Sequence, residues 1–578
     1  MAAPRSGAEV FLQVLRNMGV EKLFGCSGTE WAPLWEALAR QKAEGIPGPD
    51  YLLARHEDTT IGMAIGYAKA TGKLAVALVH SSVGASRMLM GLRGAYQERV
   101  PILLCSGDSI SFGEGRNKWV GFHWGRYLAD YGGPARYMEP ATKSSFGLNH
   151  SALLAGTVQR ACQMAKTAPQ GPVFLALPFE YLAKESDSPI LPASGYTMNA
   201  WPDPEGLREV ADLLKAAEKP LIIVERLGRD QAAVEDLVRV AEVSGAIVVE
   251  SQHPEYVNFP RDHDLHGGFI VNPYLPETDF VLVLDVIGPA WFPETEEHPP
   301  HAKIAVISED PLRERVPFYG IAADINLQGR ADAGVAELRR ILEQGEAKAR
   351  SAQLQTWIAD NRARRDLWRA NAKAASSTTP IDTRWLCQQL NEHMSDDVVI
   401  VDETIIANFT MMHVMDRLGP GQYVNAMNGG LGTGLGAALG VKVAWPEKQV
   451  VAIMGDGTFN YNAPLPALSY CQEYHAPITI IIVNNSGYRA MKMALEEVSP
   501  EGVALSTGNL FGCDLNPSVD YEKMAELVGG YGEQVSDPAE VMPAMARAFE
   551  ANRRGQAAIL NILVGDDMQY LGDMVHPA

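Results

Sequence analysis

Short runs of consecutive apolar residues, separated by longer amphipathic stretches, recur along the whole chain. Lys22–Phe24, Leu74–Val79, Ile102–Leu104 and Pro172–Pro178 fall within about residues 5–185. Pro220–Val224, Ala246–Val249, Phe280–Asp285 and Ile304–Ile307 fall within about 200–345, and Val398–Val401, Gln449–Met454, Ile478–Val483 and Ala557–Val564 within about 380–570. Unbroken apolar runs of this length read as strands buried on both faces, and their alternation with helical stretches implies parallel sheets. The pattern predicts an α/β protein of three consecutive doubly wound parallel-sheet domains, at 1–190, 200–345 and 381–570. A charged helical stretch from Glu343 to Lys373 runs into Ala374–Pro380, predicting a surface helix and linker over 346–380 and leaving a tail at 571–578. The first boundary is softer, near Asp187 to Pro204, where Pro and Ser cluster.

Composition narrows the classes. With 578 residues, 47% hydrophobic and 21% charged, the chain is globular and long enough for several domains. A net charge of −21 argues against nucleic-acid or anionic-membrane partners, and an anionic substrate would need local basic groups to draw it in. Six cysteines without paired spacing suit reduced thiols. No apolar run reaches ~18 residues and no basic-then-apolar leader is present, so the expected location is the cytoplasm, with no membrane span.

Gly455-Asp456-Gly457 follows a strand-like run, and 26 residues later Asn484-Asn485 ends another. A carboxylate and a carboxamide at neighbouring strand ends can share one Mg2+, which prefers oxygen ligands and keeps phosphate oxygens in its shell. Glycines let backbone N–H groups approach the phosphate, and the following helix turns its positive end toward it. The spacing reads as a diphosphate–magnesium clamp at carboxyl ends of parallel strands, where open α/β sheets bind ligands. Gly-Asp-Gly alone is also an ordinary turn; the flanking strands are what give it meaning.

This segment resembles the thiamine diphosphate (ThDP) enzyme superfamily, and the resemblance spans nearly the whole chain. Arg55-His56-Glu57 with Gly66-Tyr67-Ala68-Lys69-Ala70-Thr71-Gly72 looks like the family's Arg-His-Glu and Gly-Tyr-Ala-Arg-x-Thr-Gly, Phe24-Gly25-Cys26-Ser27-Gly28 like its Phe-Gly-x-Pro-Gly, and Gly171-Pro172-Val173 like its Gly-Pro-Val. The resemblance implies pyrimidine-binding, middle and diphosphate-binding domains, ThDP and Mg2+ as cofactors, and self-association to a dimer or tetramer with active sites at the subunit interface. Glu57 would be the acid that activates the aminopyrimidine; an acid in a helix's first turn is also simply favourable to the helix dipole. The interval between metal ligands is about two residues longer than the family's, and Pro464 and Pro466 place the extra residues at the start of the next helix.

Within the superfamily the sequence is most similar to the benzoylformate decarboxylases. Leu78-Val79-His80-Ser81-Ser82-Val83-Gly84 resembles their Leu-His-Ser-Ala-Ala-Gly, implying that His80 relays a proton, with Thr29 and Ser81 offering hydroxyls to substrate. Asn428-Gly429-Gly430-Leu431-Gly432 resembles their Ala-Gly-Gly-Leu-Gly, implying that the Gly429 carbonyl meets the aminopyrimidine and Leu431 wedges under the cofactor. Asp456, Asn485 and the Gly487 carbonyl would hold the metal, with Thr404, Gly457, Thr458 and Tyr488 at the diphosphate. The pattern also departs. Gly288–Pro293 lacks the second active-site histidine, and two hydroxyl positions after Thr404 are Ile405 and Ile406. The Arg-, Trp- and His-rich stretch 113–127 is a candidate substrate loop with Arg116, His123 and Arg126, equally readable as a loop packed on a neighbouring subunit. Glu225-Arg226-Leu227-Gly228-Arg229-Asp230 lacks a glycine-rich pyrophosphate turn, which argues against FAD.

The implied activity is cleavage of a carbon–carbon bond in a small 2-oxo acid or related carbonyl substrate, through a C2 carbanion and an enamine. Decarboxylation to an aldehyde is the first reading and an acetolactate-synthase-like carboligation the second. A non-catalytic cofactor-binding paralogue is the third, disfavoured because Glu57, Asp456 and Asn485 are all present.

Overall fold

The computed structural model describes residues 5–108, 132–190, 192, 200–288, 299, 301–313, 315, 322–345, 351–427 and 429–565. The apolar runs become three sheets in which every strand pairing is parallel. The first contains β1 (Lys22–Gly25), β2 (Asp50–Leu53), β3 (Ala75–Val79), β4 (Ile102–Asp108), β5 (Ser144–Gly147) and β6 (Val173–Pro178), in the order β2-β1-β3-β4-β6-β5. The middle sheet contains β7 (Pro220–Val224), β8 (Ile247–Glu250), β9 (Phe280–Leu284), β10 (Lys303–Ser308) and β11 (Ile325–Gln328), in the order β11-β10-β9-β7-β8. The third contains β12 (Val398–Glu403), β13 (Tyr423–Asn425), β14 (Gln449–Gly455), β15 (Thr479–Asn484), β16 (Tyr531–Val535) and β17 (Ala558–Leu563), in the order β13-β12-β14-β15-β17-β16.

Counted along the chain, the first and third sheets share one strand order: second, first, third, fourth, sixth, fifth. In all three sheets the order reverses between the first strand and the third. Those switch points, β1/β3, β7/β9 and β12/β14, open the crevices in which doubly wound sheets hold ligands. The central strands β3, β9 and β15 are buried along their whole length, as strands covered on both faces must be.

Five helices carry or pack beside the residues singled out in the sequence: α1 (Glu57–Thr71), α2 (Ser81–Arg87), α3 (Gly434–Ala444), α4 (Asp456–Phe459) and α5 (Pro464–Glu473). The chain forms two compact units, one of residues 1–198, 428–446 and 461–476, the other of 199–427, 447–460 and 477–578. The first unit thus holds the first sheet together with α3 and α5. There α1 and α3 cross backbone to backbone. A Cβ on Gly66 would lie 2.0 Å from the Ala437 carbonyl oxygen, one on Gly440 2.2 Å from that of Met63, and one on Gly436 2.8 Å from Gly62 Cα. The glycines in the Gly62–Gly66 stretch are therefore required by close packing. The second unit holds the middle and third sheets.

The helix Ala352–Ala374 lies on the surface, as its charge predicts, with most of its residues exposed and one face buried. Its apolar residues fall on one face at Leu354, Trp357 and Ile358, which enter the core of the middle sheet, while Ala372 enters that of the third. Charge dominated its composition, but the i, i+3, i+4 spacing determined its packing. Among the described residues no helix is long and apolar enough to cross a membrane.

Candidate active site

At the third sheet's switch point, β14 ends in Gly455 and the chain turns straight into α4, so Asp456 occupies the first turn of a helix with its side chain buried. Burial pushes its carboxyl up to about 6, against the backbone N–H groups of Gly457 and Gly487 that favour the anion. The Gly487 N–H is shared: it donates to Asp456 Oδ2 at 3.1 Å and to Asn485 Oδ1 at 3.2 Å, which brings the two side-chain oxygens to one point. Asn484 instead fastens the turn. It accepts from the Ser486 N–H at 2.9 Å and donates to Asn561 Oδ1 at 2.9 Å, and Ser486 takes φ +57°. Gly457 is held against the Tyr488 ring, where a Cβ would stand 2.7 Å from a ring carbon. At the end of β12, the Thr404 hydroxyl and N–H both donate to Asp402, at 2.7 and 2.8 Å, and Tyr423 and Asn408 complete that buried carboxylate's shell. Thr404 therefore directs its hydroxyl proton into the protein, and Thr458 is the buried hydroxyl beside Asp456 in α4.

At the first sheet's switch point the residue after β3 is His80. The turn Cys26–Trp31, which follows β1, wraps around it. The Cys26 N–H donates to the Leu78 carbonyl at 2.8 Å and the Trp31 indole to the Val79 carbonyl at 2.8 Å. Gly28 presses on the imidazole so closely that a Cβ there would lie 2.8 Å from His80 Nδ1. Glu30, fully buried, reaches His80 Nδ1 through Oε2 at 2.5 Å. That hydrogen bond holds the imidazole pKa above its ordinary value, with the Glu57 charge acting in the same direction and partial burial opposing both. Burial and the Glu57 carboxylate, with which it shares a hydrogen bond, push the Cys26 thiol up to about 12. A Cβ on Gly84 would sit 3.5 Å from Glu57 Oε1 and 3.3 Å from His80 Cβ. Glu57 opens α1 behind the N-cap His56, whose ring accepts from the Asp58 N–H, and behind Arg55, which takes φ +64° and pairs with Glu473 at 2.6 Å.

The first unit therefore gathers Glu57, His80, Thr29 and Ser81, and the second gathers Asp456, Gly457, Thr458, Asn485, Gly487, Tyr488 and Thr404. Thr29 is exposed in the turn beside Glu30, whereas Ser81 is buried as the first residue of α2. Gly429 and Leu431 belong to the first unit. The Gly429 carbonyl already accepts from Arg93 at 2.8 Å, and Leu431 is bracketed by Gly430 and Gly432 at φ +119° and +107°, a bend that only glycines make easily. Arg116, His123 and Arg126, most of the 288–293 stretch and the tail lie outside the described residues. Sequence reasoning missed Glu30, Cys26 and Arg93. Nothing local marks Glu30 as buried; the one signal is its place two residues after the turn glycine Gly28.

Residues 5–120 match the thiamine pyrophosphate enzyme N-terminal TPP binding domain, and residues 406–562 match the C-terminal TPP binding domain. The chain belongs to the thiamine pyrophosphate enzymes. It is 26% identical over 579 residues to the large subunit of acetolactate synthase isozyme 3 from Escherichia coli, covering 97% of this chain and 95% of that one. It is 26% identical over 500 residues to the acetolactate synthase large subunit of Lactococcus lactis, covering 83% and 81%. Its fold is that of a 4-hydroxybenzoylformate decarboxylase from Rhodococcus jostii (TM-score 0.78, 21% identity, 97% of this chain and 99% of the other). It is equally that of a benzoylformate decarboxylase from Polynucleobacter necessarius (TM-score 0.79, 20% identity, 97% and 99%). As a thiamine pyrophosphate enzyme, the chain has donors that fit the cofactor's diphosphate and a divalent cation. A buried carboxylate raised toward neutrality gains from a cation, Asn485 Oδ1 converges with it, and Gly457 leaves no side chain between the turn and Tyr488.

Proposed function

We propose that this chain is a ThDP- and Mg2+-dependent 2-oxo acid decarboxylase that converts R–CO–COO⁻ and one proton into R–CHO and CO2. The observation that carries the reading is the half-buried His80 at the first switch point. It is hydrogen-bonded to Glu30 and lies in the field of Glu57, which together raise the imidazole pKa above its ordinary value. When bound, ThDP supplies a nucleophilic ring carbon and takes up the electron pair left by departing CO2. Asp456, Asn485 and the Gly487 carbonyl would hold Mg2+, with Gly457, Thr458 and Tyr488 at the diphosphate. Glu57 would hold the aminopyrimidine through its carboxyl, and Leu431 would support the ring system. His80 supplies the product proton and recovers one from solvent, a general-acid role worth on the order of 10²–10⁴ in rate. The active protein would be a dimer or tetramer in the cytoplasm.

The full-length likeness to acetolactate synthases favours a second reading, in which a second carbonyl compound captures the same acyl equivalent and the product is a hydroxyketone or acetohydroxy acid. In the middle sheet's crevice, Glu255, Asp285 and Glu309 are buried with Arg226 and Arg229, pairing at 3.1–3.6 Å. Three carboxylates there oppose a dinucleotide's phosphates and support a cofactor set without FAD. The test is NMR product analysis of the ThDP- and Mg2+-loaded protein with pyruvate, branched 2-oxo acids, phenylpyruvate and benzoylformate, with and without aldehyde acceptors. Free aldehyde supports the decarboxylase; hydroxyketone products move the assignment to the carboligase.

A further inference from the structure

We propose that Glu30 is a positioning residue that holds His80 by Nδ1, so that the imidazole serves the reaction as a proton donor through Nε2. The proposal deepens the decarboxylase reading and rests on His80 having the role given above.

The pairing is constructed from several sides. Glu30 is 1% exposed, and its Oε2 lies 2.5 Å from His80 Nδ1. The backbone on both sides of the pair is fixed independently. Trp31 donates from its indole to Val79, the residue before His80, and Cys26 donates from its N–H to Leu78. Two glycines make the space. A Cβ on Gly28 would strike His80, and a Cβ on Gly107, in β4, would stand 2.5 Å from Glu30 Cβ. A larger residue at either place would force one partner away, so the turn Cys26–Trp31 and the ends of β3 and β4 together form a socket for this contact.

The chemistry follows from the partner's charge. Among the described residues, the charged groups facing the imidazole are Glu30, from the turn after β1, and Glu57, from the start of α1; Cys26, hydrogen-bonded to Glu57, stays a neutral thiol at physiological pH. Two acidic neighbours and no cation among those influences favour imidazolium, and the short bond to Glu30 assigns the retained proton to Nδ1. Proton exchange with a bound carbonyl compound then falls to Nε2. After one proton leaves Nε2, the neutral ring keeps Nδ1–H on Glu30 and is reprotonated from solvent, so the cycle balances without another group. Without Glu30, ring orientation and charge would both be lost, and joining to a second carbonyl compound would compete better with aldehyde release.

The test is the Glu30→Gln variant of the full chain loaded with ThDP and Mg2+, with Glu30→Asp as the conservative comparison. Histidine is labelled with 13C, and the His80 resonance is assigned by its loss in His80→Gln. In the wild type His80 should titrate above its ordinary pKa, and in Glu30→Gln its midpoint should fall, with Glu30→Asp between them. The alkaline limb of aldehyde release should move down by the same amount, and the ratio of hydroxyketone to aldehyde should rise roughly tenfold in the presence of an acceptor. Combined with His80→Gln, the Glu30 substitution should add little further loss. A His80 titration that is the same in wild type and Glu30→Gln would overturn the proposal, as would a simple fall in kcat with unchanged pH profile. If none of the 2-oxo acids is turned over, the decarboxylase reading fails while the titration still reports on the pair. If Glu30→Gln fails to fold, the wild-type titration alone decides: a midpoint above 6.5 supports the pairing, and one at or below it overturns it.

Discussion

The first and third sheets have the same strand order, and in each the residue that follows the third strand is the one to which the proposed chemistry is assigned: His80 after β3, Asp456 after β14. Beyond that shared position they diverge. Around His80 the polar groups are side chains, an imidazole set against the acids Glu30 and Glu57, suited to moving protons. Around Asp456 they are mostly backbone N–H groups and amide oxygens meeting one buried carboxylate, suited to holding an ion and phosphates. Topology fixes where a doubly wound sheet can bind; the residues placed there fix what it does. The contrast makes a division of labour testable, because holding and turning over should fail separately.

The largest effect should come from the third sheet. Asp456→Ala would remove the proposed central oxygen ligand, and ThDP binding at millimolar Mg2+, followed by calorimetry, should weaken by on the order of a thousandfold, with turnover falling in parallel. Stripping divalent ions from the wild type with EDTA should reproduce the loss, and Mg2+ should restore it. Normal ThDP binding by Asp456→Ala would remove the basis for the comparison. On the first sheet, Glu57→Gln should do the opposite: binding within about threefold of wild type, turnover down roughly 10²–10³. Loss of binding in Glu57→Gln would mean that the two switch points do not divide the work. His80→Gln should be milder, lowering aldehyde formation by about 10–100-fold and raising the share of hydroxyketone when an aldehyde acceptor is present, as read by product NMR.

How much of this the sequence reveals depends on the kind of signal. Buried parallel strands leave unbroken apolar runs, so all three sheets and the Asp456–Asn485 turn were legible, and glycines at close approaches such as Gly62 and Gly66 registered as a motif. The Glu30–His80 contact was not, because it joins a turn and a strand end 50 residues apart and depends on burial that no local pattern announces. The same limit hid the partner of the Gly429 carbonyl, since Arg93 lies 336 residues away. The linker helix reads as a surface element from its charges and is one; only the residues of its narrow apolar face, Leu354, Trp357 and Ile358, join the middle sheet's core.

A smaller effect concerns what joins third-block sequence to the first sheet. Gly436→Ala in α3 would place its Cβ 2.8 Å from Gly62 Cα and from the Thr59 carbonyl oxygen, and backbone on both sides cannot give way cheaply. Overpacking of this kind costs about 1–3 kcal/mol, and the thermal midpoint should fall by a few degrees while ThDP binding at low temperature persists. An unchanged midpoint would show that the α1–α3 crossing relaxes more freely than its geometry implies.

The smallest effect lies in the second unit, where middle and third sheets are joined around His413. Its ring packs edge-on against Phe269 and Trp368, and Nδ1 donates to the Phe409 carbonyl at 2.7 Å. Burial holds its pKa down at about 4, from 6.5 in an open chain, with the charge of Arg261 acting in the same direction. The unfolded chain therefore binds a proton at mildly acidic pH that the folded chain refuses. The stability from this site is present above about pH 6.5 and is lost progressively as the pH falls toward 4, amounting to on the order of 1–2 kcal/mol at pH 5. His413→Gln keeps an N–H donor but does not titrate. It should be less stable than wild type at pH 7, and the difference should shrink at pH 5, as measured by urea unfolding. The first sheet offers the opposite sign: His80, whose pKa is raised, contributes stability that is full below its ordinary pKa and fades as the pH rises through the shifted value. His80→Gln should therefore lose most at acid pH and least at alkaline pH. If both substitutions showed the same pH trend, the two histidine sites would not differ in their electrostatics as their burial and partners require.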